Sequence, residues 1–428
     1  MENSASKPES IFQSTTAKML LVGVLTLGLL IPLELVKSLI TERSSRQKEV
    51  VNETTNKWGE SIYFYGPILK IPYIDPVTKQ ITQAYFFPEQ LSGTAQTEVK
   101  PPLQRSLYKS DVFTANFNFT GKYAAANFSK KAVPNENIFW DKASIIIKTS
   151  NLKSVKSEVK IFLDNEYYTF DPSETTTSVD STETLETGYI NYNAIANQSF
   201  QVTIMYNGSQ KISIVPIGKT TDLQMTSNWN SPKFDGKFIP SDKKISDKGF
   251  QAKWHILHFN RPFSQEHFEQ LPDLRKYTFD VDFFKPVNEY QQNERAAKYG
   301  FLVIGLTFLL FFLIQSISKI NIHIFQYTMI GFALILFYTL LISITEHSSF
   351  TTAYCIAGSL VIIVIVLYSI SVLKNRKFPL FIGLALTALY SFIYVIIQLE
   401  DYALLVGSIG LFCILAAVMY FSRKIDWK

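Results

Sequence analysis

The stretch ITEHSSF, residues 344–350, separates two apolar runs that are each long enough to cross a lipid bilayer. Residues 320–345 before it and residues 348–373 after it contain no Asp, Glu, Lys or Arg. An ionisable side chain at membrane depth costs about 3 kcal/mol or more, so Glu346 and His347 mark either a functional group or the end of a span. The topology of the whole chain decides between these two interpretations.

Three more uncharged runs occupy residues 299–318, 378–399 and 402–422. A helix rises about 1.5 Å per residue, so about 20 residues cross a hydrocarbon core about 30 Å thick. The five runs therefore predict five C-terminal membrane helices, and their short loops make them antiparallel neighbours.

A sixth apolar run begins at Met19, is uncharged as far as Leu33 and continues through Glu34 to about Leu39. Its length is similar to that of a signal peptide, but no small-residue cleavage site follows it. We interpret it as an uncleaved membrane anchor, with a cleaved signal peptide as the alternative.

The charges of the loops predict the orientation of these helices. Residues 374–377, KNRK, and the tail at 422–428 are basic, whereas the loops at 346–349 and 400–401 are acidic. Lys and Arg are enriched in cytoplasmic loops, so we expect both basic segments to face the cytoplasm. Counting back through the helices then places residues 41–297 outside and both termini in the cytoplasm.

The resulting organisation has one large external domain between the first span and the other five. The predicted segments are a cytoplasmic N-terminus at 1–18, a first membrane helix at 19–40, an external β-rich domain with helical stalks at 41–297, five membrane helices at 299–318, 324–345, 352–373, 378–398 and 402–421, and a cytoplasmic tail at 422–428.

In this topology Glu346 and His347 lie in a short loop at the outer end of a helix. One interpretation is a solvated hairpin turn. The alternative is a set of paired charges, here called the charge collar, that holds the stem of the external domain against the helix bundle. Under that hypothesis reversal of Arg295 partly rescues reversal of Glu346. The charge collar consists of Glu34, Lys37, Arg43, Arg295, Lys298, Glu346, His347, Glu400 and Asp401.

Composition excludes a nucleic-acid partner. The formal net charge is +5, but residues 44–297 are nearly neutral, with 29 Lys and Arg against 28 Asp and Glu. The basic excess therefore surrounds the apolar runs, where it sets orientation. Both cysteines, Cys355 and Cys413, lie inside apolar runs, so no disulfide framework is expected in the external domain.

Residues 44–297 alternate apolar and polar side chains, which is typical of strands with one buried face. In FQVTIMY, residues 200–206, the side chains of Phe200, Val202, Ile204 and Tyr206 fall on one face, and Asn207-Gly208 predicts a hairpin turn after it. Residues 159–163, VKIFL, are followed by a second predicted turn at Asp164-Asn165. Such alternation favours antiparallel sheets packed as a sandwich, with Asp171–Thr187 as a mobile loop or a seam.

No motif for catalysis, metal or cofactor binding is recognisable. His255, His258 and His267 lie within 13 residues, but alternation along the strand puts His255 and His258 on opposite faces, so this pair does not chelate from a regular strand. Nucleotide loops, zinc-protease motifs and nucleophile elbows are absent from the sequence. We therefore expect neither an enzyme nor a cofactor, with a hydrolase of an envelope polymer and a transporter as alternatives.

Several long stretches resemble the CreD family of bacterial inner-membrane proteins, often called cell-envelope integrity proteins. They follow one another in order over nearly the whole chain. They are PLELVKSLITERSSRQKEVVNETTNKWG (32–59), YGPILKIPY (65–73), SNWNSPKFDGKFIP (227–240), KGFQAKWHILHFNRPFSQ (248–265), PVNEYQQNERAAKYGFLVIGLTF (286–308) and HIFQYTMIGFALILFYTLLISITEHSSFTTAYCIA (323–357).

The resemblance implies a role in envelope stress, envelope integrity and colicin tolerance at the bacterial inner membrane, and it brings no catalytic residues. Three positions depart from the family pattern, namely Asn288, Gln315 and Ser106. Gln315 stands where the family commonly has a Glu, which weakens a proton-relay role.

The sequence thus predicts a mixed membrane protein. A large antiparallel, sandwich-like periplasmic β-domain is inserted between an N-terminal membrane helix and a bundle of five. The expected partners are the lipid bilayer and either an envelope polymer or a periplasmic or membrane protein. Trp229, Phe234 and Trp254 are the candidate recognition aromatics, with a core position as the alternative for Trp229 and Phe234.

Overall fold

The computed structural model describes residues 15–163, 165–173, 182–190, 192, 199–283, 289–318, 320–373, 377–399 and 402–423. The chain forms two compact units. One comprises Met1–Lys48 with Pro286–Lys428, and the other comprises Glu49–Lys285.

The first unit is helical, and its first helix continues into the second unit. The described helices are α1 (Thr15–Trp58), α2 (Glu289–Lys298), α3 (Gly300–Ser318), α4 (Ile324–Thr345), α5 (Phe350–Leu373), α6 (Lys377–Gln398) and α7 (Ala403–Ser422). By length and composition, α1 and α3 to α7 qualify as six candidate membrane spans among the described residues. At 44 residues α1 is about 66 Å long, roughly twice the hydrocarbon thickness.

Glycines allow α1 to pack closely against two other helices. A Cβ atom at Gly300 of α3 would lie 2.8 Å from Leu33 Cδ1, and one at Gly331 of α4 would collide with Leu29 Cδ1. Helices in a bilayer associate by close van der Waals packing, which small residues permit. Near the start of α1, Lys18 Nζ donates to Asn321 Oδ1 at 2.8 Å, so α1 runs parallel to α4.

The second unit is built of strands. They are β1 (Ile62–Ile74), β2 (Ile81–Phe86), β3 (Gln90–Val99), β4 (Leu103–Arg105), β5 (Tyr108–Ser110), β6 (Val112–Lys122), β7 (Ser144–Thr149), β8 (Lys160–Leu163), β9 (Glu166–Pro172), β10 (Glu183–Thr187), β11 (Ser199–Ser209), β12 (Lys211–Ile214), β13 (Thr220–Ser227), β14 (Lys233–Gly236), β15 (Asp242–Ser246), β16 (Gly249–Leu257), β17 (Glu266–Phe268) and β18 (Phe279–Asp282).

The strands form two layers joined through β9. One layer has the order β14-β18-β12-β1-β7-β10 and the other has the order β8-β11-β6-β3-β13-β16-β15, while β9 pairs with both β10 and β8. Strand β2 pairs with β1 on one side and with β17 on the other, and β4 pairs with β5 in a separate two-stranded sheet. Most pairs are antiparallel, with β1–β12 and β3–β13 parallel. The predicted antiparallel β-domain between an N-terminal apolar helix and a C-terminal group of apolar helices is confirmed.

Aromatic side chains from both layers form the core between them. Phe64 of β1 stacks on Phe119 of β6, with ring centroids 4.4 Å apart. Trp254 of β16 stacks on Phe279 of β18 at 4.9 Å. In FQVTIMY, Phe200, Val202, Ile204 and Tyr206 are buried and Met205 is exposed, because side chains alternate between the two faces of a strand.

One predicted hairpin is wrong. Asn207 and Gly208 lie inside β11, where they pair with Thr114 and Phe113 of β6. The turn comes later at Gln210, which has φ 63°, and β12 then joins β1 and β18 in the other layer. The local Asn-Gly signal was overridden because β11 gains long pairings along its full length with β6.

The predicted hairpin after residues 159–163 is present, since β8 and β9 pair antiparallel. Its turn residue Asn165 has φ 61°, whereas Asp164 lies outside the described residues. The predicted loop or seam at Asp171–Thr187 contains the end of β9 and all of β10, and its residues 174–181 lie outside the described residues.

Candidate functional site

Two parts of the charge collar meet at one end of the helical unit. Arg43 on α1 places Nη1 3.7 Å from Oε1 of Glu346, the C-cap residue that follows α4. The Glu346 side chain is 15% exposed and that of Arg43 is 48% exposed. The pair therefore ties α1 to the end of α4.

Helix α2 joins the same end through backbone and amide contacts. Arg295 Nη1 donates to the carbonyl oxygen of Ile397 on α6 at 3.4 Å, and Gln292 Nε2 donates to Gln398 Oε1 at 3.3 Å. The buried face of α2 is uncharged and consists of Tyr290, Asn293, Ala296 and Ala297. These contacts hold α2 against α6.

A buried polar contact links α2 to α4. Thr345 Oγ1 lies 3.4 Å from Oδ1 of Asn293, which is fully buried, and Thr345 Oγ1 also donates to the Leu341 carbonyl at 2.6 Å. A buried amide without a full set of partners costs free energy, so Asn293 fixes the register between the two helices more than it adds stability.

The other collar residues that the structure describes do not converge with Glu346. Lys37 pairs with Glu34 at 3.0 Å within α1, and Lys298 pairs with Glu294 at 3.5 Å within α2. Exposed pairs of this kind contribute about 0.5 kcal/mol. His347 is exposed. Glu400 and Asp401 lie outside the described residues.

The partner of Glu346 is Arg43 and not Arg295, which was the partner expected from the sequence. Arg43 faces Glu346, and Arg295 instead caps a carbonyl at the end of α6. The reason is geometric, since helix α1 runs parallel to α4 and brings its own basic residue to the end of α4. The sequence search also missed Asn293, Gln292 and Gln398, because it looked for charges, whereas uncharged amides make most of these contacts.

The candidate recognition aromatics pack inside their own domain. Trp254 is 2% exposed and Trp229 is 9% exposed. Phe234 is half-buried and makes edge contacts with Phe250 at 5.6 Å and with Trp254 at 6.0 Å. Trp229 and Trp254 are covered by their own domain and have a packing role, whereas Phe234 keeps part of its ring accessible.

Strand β14, within the motif at 227–240, carries part of a charge cluster on β18. Asp282 is 3% exposed and lies between two cations, with Oδ1 3.6 Å from Lys211 Nζ and Oδ2 4.0 Å from Lys233 Nζ. Burial raises the pKa of Asp282, and the two lysines oppose the rise. The two lysines thus compensate the buried carboxylate, which ties β14 to β18.

The histidines have different surroundings. His255 is exposed and its Nδ1 lies 2.6 Å from Asp222 Oδ1, whereas His258 is half-buried. Over the described ranges, no group of three or more His, Cys, Asp or Glu side chains is arranged to hold a metal ion. His255 lies on β16, but His258 follows the end of that strand in a 3-10 turn at His258–Asn260, so the strand alternation expected for the pair does not apply to His258.

Arg261, in the motif at 248–265, is a buried cation that binds backbone carbonyls. It is 5% exposed and donates to Ile217 O at 3.1 Å, Gly218 O at 2.9 Å and Phe263 O at 3.1 Å. Burial lowers the pKa of its guanidinium to about 10. Burial also lowers the pKa of nearby His267, and the charge of Arg261 adds to this effect.

Within the bundle, Gln315 has a structural partner. Its Oε1 accepts a hydrogen bond from the Tyr327 hydroxyl at 2.9 Å, and both side chains are buried. A hydrogen bond of this kind holds α3 to α4. This contact accounts for a polar residue inside an otherwise apolar helix.

The fold and these contacts define a membrane protein with six candidate spans and a large β-domain inserted after the first of them. The model of the family described as "Inner membrane protein CreD" matches residues 14–428. The chain therefore belongs to the CreD family of inner membrane proteins.

Comparison with individual proteins agrees with this membership. The chain is 26% identical over 424 residues to inner membrane protein CreD of Escherichia coli (strain K12), covering 93% of this chain and 90% of that protein. Likeness to solved structures is weak. A Legionella pneumophila protein described as nutrient binding gives a TM-score of 0.27 at 11% identity, covering 58% of this chain and 80% of that chain. An M1 zinc metallopeptidase of Deinococcus radiodurans gives 0.23 at 8%, covering 46% and 42%. Neither likeness supports an argument.

Proposed function

We propose that this protein supports the integrity of the bacterial cell envelope without catalysis, by holding a periplasmic β-domain that binds an envelope component. Membership in the CreD family supports the inner-membrane location. The loop charges support cytoplasmic N- and C-termini. The β-domain, residues 41–297, then lies in the periplasm.

The observation that carries this proposal is the way both connections to the β-domain are fastened. Helix α1 precedes the domain and is tied to α4 by Arg43 and Glu346. Helix α2 follows the domain and is tied to α4 through Asn293 and to α6 through Arg295. Helices held in place both before and after the β-domain are typical of a scaffold, which transmits force or keeps a domain in position.

The test uses the full-length protein in lipid nanodiscs. It is incubated separately with purified cell-wall sacculi and with lipopolysaccharide vesicles, and both co-sedimentation and release of soluble fragments are measured. Co-sedimentation without fragments is the expected result. Release of fragments by the wild-type protein would replace the scaffold with the hydrolase alternative, and retention on neither material would refute envelope binding.

Orientation has its own test. A fluorescent protein that matures in the cytoplasm and a phosphatase that is active in the periplasm are each fused after Lys428. We expect fluorescence from the first fusion and no phosphatase activity from the second. The reverse pattern would place the tail, and by helix counting the β-domain, on the opposite sides.

A further inference from the structure

The outward face of four neighbouring strands has an unusual composition. Strands β11, β6, β3 and β13 lie side by side, and all their residues are described. The residues that point away from the core, here called the amide face, are Ser199, Gln201, Thr203, Met205, Asn207, Thr114, Asn116, Asn118, Thr120, Lys122, Gln90, Ser92, Thr94, Gln96, Glu98, Thr220, Asp222, Gln224 and Thr226.

Almost every member of the amide face is an amide or a hydroxyl. Within these four described strands, the charged members are Glu98, Lys122 and Asp222. An ordinary solvent-facing sheet surface carries interspersed Lys and Glu, and Asn is depleted in strands. The asparagines Asn116 and Asn118 therefore go against local preference, and such departures are expected at functional sites.

A groove crosses this face along one row of cross-strand neighbours. Gln96 pairs with Asn116 on one side and with Thr226 on the other, and Asn116 also pairs with Met205. The groove has a cavity volume of about 710 Å³ and is lined by all four. Three inter-strand spacings of about 4.8 Å make the row about 14 Å long, comparable with a few linked hexopyranose rings.

The side chains in the row are available to a ligand. Gln96, Asn116 and Thr226 make no side-chain hydrogen bond to the described part of the protein, in contrast to Asn228, whose amide bonds the Val99 backbone at 2.8 Å and 3.1 Å. Amides and hydroxyls both donate and accept hydrogen bonds, as do sugar hydroxyls and acetamido groups. The expected ligand therefore offers both hydrogen-bond donors and hydrogen-bond acceptors.

The apolar and charged side chains of the groove restrict the class of ligand further. Met205 is 40% exposed at one end of the row, where its polarizable thioether can contact the C–H face of a sugar ring. The charges that line the groove, Glu98, Lys100 and Lys248, have mixed sign and come from strand ends or a turn. The centre of the groove therefore has no concentrated charge for an anionic polymer.

We propose that the groove of the amide face binds a neutral glycan of N-acetylated hexosamines, a proposal that rests on the envelope-binding function above. The row Met205–Asn116–Gln96–Thr226 contacts two or more adjoining sugar rings. Asn116 and Gln96 hydrogen-bond the acetamido and hydroxyl groups, while Met205 packs on a ring face.

The test uses full-length protein in nanodiscs and a soluble tetramer of β-1,4-linked N-acetylglucosamine, with binding measured by titration calorimetry. Cellotetraose, which lacks the acetamido groups, is the matched ligand control. We expect the acetylated tetramer to bind at least about fivefold tighter than cellotetraose, since each hydrogen bond lost costs about that factor. Equal binding of the two ligands, or no binding of the tetramer, would overturn the proposal.

The matched variants are Gln96→Ala with Asn116→Ala in the groove and Gln270→Ala at an exposed amide elsewhere in the domain. The double variant weakens tetramer binding about tenfold or more with an unchanged thermal midpoint, while Gln270→Ala has no effect. Should the double variant lose its fold, Gln96→Glu replaces it, because it keeps the side-chain shape. Unchanged tetramer binding in the folded groove variant would refute the site.

The sacculus experiment separates the two proposals. Retention of wild-type protein on sacculi together with failure to bind the tetramer would refute the glycan groove and leave envelope binding intact. Loss of retention in the groove variant would support both. Absence of retention in the wild type would remove the functional basis of both.

Discussion

Charge reversal at Glu346 is the sharpest perturbation of the helical unit. At 3.7 Å and an effective dielectric constant of about 20, the Arg43–Glu346 attraction is about 4 kcal/mol before desolvation and side-chain ordering are subtracted. Exposed pairs retain about 1 kcal/mol or less, and Glu346 at 15% exposure belongs at the upper end of that range. Glu346→Lys also adds repulsion from Arg43, so the expected loss is about 1–2 kcal/mol.

The measurement is a double-mutant cycle on the full-length protein in detergent. Glu346→Lys, Arg43→Glu and the double variant are compared by thermal aggregation followed on a sizing column. One kcal/mol corresponds to a shift of about 2–4 °C in chains of 150–250 residues and to less in a longer one. We expect each single reversal to lower the midpoint and the double reversal to recover most of the loss. Raising the salt concentration should shrink the coupling, because the pair is partly exposed.

The pair of Glu294 and Lys298 on α2 is the matched control. Its side chains are 51% and 66% exposed, so Lys298→Glu should shift the midpoint by less than Glu346→Lys. Additive losses in the double reversal of residues 43 and 346 would show that this contact does not hold α1 against α4. Rescue of Glu346→Lys by reversal of Arg295 would instead favour the pairing expected from the sequence.

Three more predictions concern the interior and the pH response. Gln315→Leu leaves the buried Tyr327 hydroxyl without its hydrogen-bond partner and should lower the free energy of unfolding in detergent by about 1–3 kcal/mol. Adding Tyr327→Phe should recover most of this loss. Equal stability of the single and double variants would contradict the prediction. Trp254→Ala should cost about 3–5 kcal/mol in the denaturation of the β-domain, with Phe259→Ala at an 84% exposed site as a nearly silent control. Burial lowers the pKa of His267 below its usual 6.5, so the unfolded chain binds the proton more tightly. The stability due to the neutral imidazole is then complete above about pH 6.5 and is lost as the pH falls toward the folded-state pKa. His267→Gln should therefore weaken the pH dependence of the denaturation midpoint between about pH 5 and about pH 7. An unchanged pH slope in that variant would assign the response to another group.

Properties that depend on near neighbours in the chain could be predicted from the sequence. Apolar runs identified the candidate spans, because crossing a bilayer requires a set number of consecutive apolar residues. Period-two alternation identified the buried face of FQVTIMY, because a strand presents alternate side chains to its core. The hairpin between β8 and β9 followed from a local turn signal.

Properties that depend on which distant segments meet were decided by the tertiary structure. Nothing near Glu346 in the chain points to Arg43, and the two meet because α1 runs parallel to α4. Asn207-Gly208 resembles a turn but lies inside β11, since pairing with β6 outweighs its local preference. The row of Met205, Asn116 and Gln96 brings together three strands in one register. A sequence fixes periodicity, whereas packing between segments fixes which side chains share a site, because that choice minimises the free energy of the whole fold.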